Sequence, residues 1–145
     1  MRDFDRDYAH EIVQRLSALG SDRKPRWGVM CAGDLIPHLT HTVLWSMNRR
    51  EPPPFAGNWV TVNILGPLAK RGWVPVLRNV KINGVEGNAA DNLDDLQSAI
   101  GDYLSAVETG GLQPAAHPLF GQLGVDGWAQ MHVKHFEHHF KQFDL

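Results

Sequence analysis

Residues 128–143 read WAQMHVKHFEHHFKQF, four histidines and three phenylalanines in sixteen residues. On a helical wheel of about 100° per residue with Trp128 at zero, His139 falls near 20°, His132 near 40° and His135 near 340°. Phe143, Phe136, Phe140 and Val133 occupy about 60° to 140° of the same wheel, and Asp126, Glu137, Gln130, Lys141 and Lys134 about 160° to 240°. The pattern predicts a helix over 125–143 with one wet face and three histidines at the centre of its dry one. His138, near about 280°, sits at the edge. A buried imidazole needs a hydrogen-bond or metal partner for its ring nitrogens, and three on one dry face are hard to satisfy by packing.

QPAAHPLFGQLG before this helix is a turn-rich loop. Leu93, Leu96, Ile100, Tyr103, Leu104 and Val107 give one stripe and predict a helix over 89–108, ended by Gly110-Gly111. Leu35, Leu39, Val43 and Met47 predict another over 32–48, with His38, His41 and Trp45 on a second stripe, so this helix is buried on most sides. Pro37 lies about one turn in, where a modest kink is expected rather than a break. Phe4, Tyr8, Ile12, Leu16 and Leu19 predict the first helix over 3–19, with Gly20 as its C-cap and acidic residues at its start. Residues 49–88 form a long connection. EPPPF is extended or turning; Asn58 to Ala69 reads either as a short helix interrupted at Gly66-Pro67 or as a strand through WVTVNIL; the rest is irregular. Four helices with one long crossover between the second and third predict an all-α four-helix bundle and one domain over 1–145.

The chain has 145 residues, 43% of them hydrophobic and 21% charged, which suits one globular domain and excludes global disorder. A formal charge of −2 gives no electrostatic reason for a nucleic-acid partner. Apolar runs are too short for a membrane helix, and the acidic start does not read as a signal peptide. The single cysteine, Cys31, excludes an internal disulfide and a Cys-rich zinc site, and fits a reducing cytoplasm. Its simplest reading is a small buried residue near a helix start.

His135 and His139, at i and i+4, can converge on one metal ion from adjacent turns, and His38 on a second helix is a candidate third ligand. Three histidines with open positions make a catalytic type of site. The competing reading is core histidines bonded to carbonyls, tyrosine or water. His41 reads as an alternative ligand, a neighbour of the ligands, or a ring packed on Trp45. His132 is either an acid/base group in a cavity or a satisfied core histidine. His117 either fixes its loop or lies at a cavity mouth, and Gln142 caps the helix or orients a ligand. The five tryptophans read as mostly core, with those of the crossover as walls of a pocket. No Ser-His-Asp pattern, phosphate loop or dinucleotide fingerprint is present, and no catalytic residue can be named.

HVKHFEHHFKQF carries H-x-x-H-H-x-x-Q, which resembles the closing helix of the DinB-like (DinB/YfiT) metalloenzyme superfamily. HPLFGQLGVDGW is similar to the HP-x-FG segment of one uncharacterised branch, and RWGVMCAGDLIPHL to that branch's entry into its second helix. The resemblance covers most of the chain, with about 50–90 contributing least, and departs at Pro37. It implies an up-down-down-up bundle in which His38, His135 and His139 hold a divalent metal, zinc or nickel first among the candidates. It also implies a homodimer and a transferase or isomerase reaction using a low-molecular-weight thiol and a small-molecule substrate. The alternative is a non-catalytic metal-binding or ligand-binding bundle.

Overall fold

Asp5 starts the first helix by accepting the Tyr8 N–H on its carboxylate at 2.9 Å, so the helix α1 runs Arg6–Ser17 rather than from residue 3. The computed structural model describes residues 2–52, 57–74 and 90–145. The expectations for PPPF and for the irregular stretch from 75 onward fall on residues 53–56 and 75–89, outside the described residues. α2 runs Ala32–Ser46, a π-helical turn Thr61–Leu65 leads directly into α3 at Gly66–Lys70, α4 runs Leu93–Glu108 and α5 runs Gly124–Phe143. Among the described residues all regular structure is helical; the only extended pairing is an isolated bridge between His117 and Gly121. None of the helices described is long and apolar enough to cross a membrane.

Local chemistry sets the helix ends. α1 closes at Ala18 in a right-handed conformation, so Gly20 is not its cap. α2 ends with Asn48 at φ 60°, where the Arg49 N–H reaches the Leu44 carbonyl and the Asn48 N–H reaches that of Trp45, a Schellman closure with asparagine in the usual glycine place. α4 opens with a capping box: Asn92 takes the Asp95 N–H at 3.0 Å and gives its own to the Asp95 carboxylate at 2.8 Å. It closes at Gly110, φ 70°, with Gly111 bonded to Ala106. The segment left open between helix and strand is helical, and Gly66-Pro67 begins α3 instead of breaking the run, since proline lacks only an N–H that the first turn leaves spare.

α1 packs on α4, α2 on α4 and α5, and α3 on α5. One apolar cluster joins Tyr8, Ile12 and Leu16 of α1, Leu35, Leu39 and Val43 of α2, Leu96, Ile100 and Tyr103 of α4, and Phe136, Phe140 and Phe143 of α5. A second cluster joins Trp45, Ala69, Ala115, Leu123 and Trp128. The Trp128 indole donates to the Ala115 carbonyl at 2.7 Å, and the Ala115 N–H donates to that of Ser46 at 2.9 Å, which fastens the 112–123 loop to α2 and α5. Trp59 and Trp73, expected as core or pocket wall, are exposed. The face of α5 expected to be wet is partly covered. The Tyr8 hydroxyl donates to Glu137 at 2.9 Å, and Lys134 reaches the Val74 carbonyl.

Two histidines belong to this packing. His132 is buried, and its Nε2 lies 2.9 Å from the Ser46 hydroxyl. Ser46 spends its own proton on the Val43 carbonyl, so the imidazole is the donor. His117 accepts the Leu119 and Phe120 N–H groups on Nδ1 and stacks on Phe120. Burial lowers His132 to about 3 and His117 to about 4.

Truncating Phe136 to alanine at the centre of the larger core should cost about 3–5 kcal/mol, and Asn92→Ala about 1 kcal/mol, both read as shifts in urea midpoint. A pH effect follows from the two neutral histidines. Their folded pKa values lie below the unfolded value of roughly 6.5, so the unfolded chain takes up protons first. Stability should be full above about pH 6.5 and fall as pH drops toward about 4. Urea unfolding at pH 7.5 and 5.0 should show the loss, and His132→Gln should shrink the difference by about 2 kcal/mol.

Candidate metal centre

α5 presents His135 and His139 from adjacent turns, with ring centroids 4.7 Å apart. α2 brings His38 to both, at 4.9 Å from each ring. The Nε2 of His135 lies 2.9 Å from that of His38 and 3.0 Å from that of His139. The three histidines offer ring nitrogens that all lie within 4.8 Å of one another, an arrangement that can hold a metal ion. His139 is buried; His38 and His135 are partly so. The three histidines named as candidate ligands from the sequence lie together in the folded chain.

Pro37 stays inside α2, immediately before His38, and is buried. Its missing N–H frees the carbonyl of Gly33 without ending the helix. Thr42 returns its hydroxyl to the His38 carbonyl at 3.1 Å and Thr40 to that of Ile36 at 2.8 Å, so these buried hydroxyls are satisfied within the helix.

Burial keeps His135 and His139 neutral. Burial holds His135 well below the ordinary histidine range, and positive charge on His139 or His38 would depress it further. Burial, with His38 next, lowers His139 to about 3, against the opposing hydrogen bond to Gln142. Neutral imidazole is the form that ligates metals.

The remaining expected site residues lie around this cluster or away from it. Gln142 is buried and lies 2.7 Å from His139 Nδ1. His41 meets the Glu51 carbonyl at 3.1 Å and lies outside the three-histidine group. His132 and His117 serve the core and the 112–123 loop. His138 packs edge-on against Trp27 at 5.6 Å, outside the group. Cys31 is exposed, not buried: it is the N-cap of α2, and its thiol donates to Asp34 at 2.9 Å. Sequence reasoning missed Ser46 and the Arg26–Gly28 loop, which touches Gln142. Helical periodicity gives no signal for either, because a serine in a helix and a loop carbonyl look alike wherever they fold.

Searches among curated proteins and among solved structures find no match. A family model described as "Protein of unknown function (DUF1569)" matches residues 3–144, and that family lies in the DinB-like superfamily. With the match spanning nearly every residue, including all three clustered histidines, the chain belongs to the DUF1569 family.

Proposed function

We propose that the protein is a divalent-metal-dependent enzyme whose ion is held by His38, His135 and His139. The observation that carries this reading is the convergence of three Nε2 atoms. Each such nitrogen bears either one proton or one lone pair. His135 Nε2 faces two neighbouring Nε2 atoms with a single proton or lone pair to offer, so the two contacts are not both full two-centre N–H···N hydrogen bonds. Proton uptake does not relieve this, since the buried rings resist charge. A cation answers all three nitrogens at once, and zinc or nickel suits imidazole donors.

With three neutral ligands the ion keeps its positive charge, which can polarise a carbonyl or lower the pKa of a bound thiol or water. The chain's own groups set the rest. The histidines bring their ring nitrogens within 4.8 Å of one another, while Glu137 is turned to Tyr8 on another face of α5. No carboxylate belongs to the cluster among the described residues, which disfavours hydrolysis through a protein base and favours a thiol-dependent transferase or isomerase acting on a small molecule. In this reading the four long helices form an up-down-down-up bundle with its crossover over 49–88, residues 1–145 are one domain, and the protein works as a cytoplasmic homodimer with no nucleic-acid or membrane partner.

One observation favours the second reading, a non-catalytic metal-binding or ligand-binding module. A shallow, open depression of about 380 Å³ lies between the start of α1 and the end of α4, lined by Phe4, Arg6, Leu104 and Glu108 among others, and none of the three histidines lines it.

Protein purified without a His-tag or a nickel column should carry about one divalent ion per chain by elemental analysis. His135→Ala and His139→Ala should each lose it, and His138→Ala should keep it. Loss in His138→Ala with retention in His139→Ala would sink the ligand assignment. A screen with low-molecular-weight thiols on the metal-loaded protein then separates enzyme from module.

A further inference from the structure

The loop before α2 reaches across to the end of α5. The Arg26 N–H donates to the Gln142 carbonyl at 2.7 Å, and the Gln142 side-chain amide donates to the Trp27 carbonyl at 3.0 Å. Gly28 follows at φ 80°, and a Cβ built there would lie 3.1 Å from the Gln142 amide nitrogen. A side chain at residue 28 would press the amide back by a few tenths of an ångström and would have to adopt a strained left-handed backbone.

This clamp fixes which way the amide points. The Trp27 carbonyl can only accept, so the Gln142 NH₂ faces it and the Gln142 Oε1 faces His139. That oxygen in turn can only accept, so at 2.7 Å the His139 Nδ1 must carry the proton. The His139 Nε2 is then left with its lone pair, and it is the nitrogen that points at His135. A hydrogen bond at one ring nitrogen selects the state of the other.

We propose that Gln142, held by the Arg26–Gly28 loop, is the positioning residue that locks His139 as its Nδ1–H tautomer and so presents Nε2 to the metal. The inference rests on the metal reading above, but the tautomer is set by the protein before any ion binds. Gln142 touches no reacting atom; it acts through His139. Gly28 is the second part of the device, because any larger residue there pushes against the amide and takes up a strained backbone.

Two measurements test this on the full chain. Imidazole ¹⁵N spectra of the metal-free protein at neutral pH should show His139 protonated on Nδ1. Gln142→Leu should move that proton to Nε2, whereas Gln142→Glu, which still offers an acceptor, should keep it on Nδ1. Zinc competition against a chromophoric chelator should then show Gln142→Leu weakened by about 10–100-fold, Gly28→Ala weakened in the same direction, and Gln142→Glu closer to the parent protein. An Nε2-protonated His139 in the parent protein overturns the inference, as does a Gln142→Leu variant with unchanged tautomer and zinc affinity. A parent protein that binds no zinc overturns the metal reading itself, and with it the role assigned here. The Glu variant separates a loss of positioning from a general loss of folding.

Discussion

A ring that leaves water must find a partner for each polar nitrogen, and α5 takes His132 and His139 almost wholly out of water. Its polar neighbours on α2 and on the loop before α2 are arranged around that demand. α2 supplies Ser46 to His132 and His38 to the His135–His139 pair, so the two helices run in opposite senses along their contact. The loop before α2 supplies the Trp27 carbonyl, which reaches His139 through Gln142. Removing the Ser46 hydroxyl or the Gln142 amide would leave a ring nitrogen of a buried imidazole without that partner, which is more costly than losing the same contact at the surface.

The apolar packing solves a different problem on the neighbouring arc of α5. Phe136, Phe140 and Phe143 fill the space between α1, α2 and α4, where area removed from water is the main stabilising term. The second cluster, around Trp45 and Trp128, adds direction: an indole N–H fixed to Ala115 and a chain hydrogen bond from Ala115 to Ser46 hold the 112–123 loop in one place. Ser46 thus meets three neighbours at once, through its hydroxyl to His132 and Val43 and through its carbonyl to Ala115. It couples the loop, the core and the helix that carries His38.

Much of the helical content was legible because burial imposes a period on sequence. The stripes through Tyr8, Ile12 and Leu16, through Leu35, Leu39 and Val43, and through Leu96, Ile100 and Tyr103 are the residues now found at the core. Helix ends were less legible. Asn48 and Gly110 both close helices in the left-handed region, but only the glycine announces it; Gly20 looked like a cap and is not one. In the segment from Asn58 to Ala69 the residues Val60, Val62 and Ile64 alternate like a strand, yet they are helical and exposed, so alternation there reports no buried face.

The spacing of His135 and His139 is a property of the chain: any helix through them puts both rings on one side, one turn apart. Sequence by itself therefore determined the helix, its dry face and the pair. It did not determine that the His41 ring meets the Glu51 carbonyl while that of His38 joins the pair, nor that Glu137, assigned to a wet face, is held by Tyr8. It gave no means to see that a carbonyl more than a hundred residues away orients Gln142. Those were decided by tertiary structure, because the partner of a buried polar atom is chosen by which elements pack together, and a single helix carries no record of its neighbours.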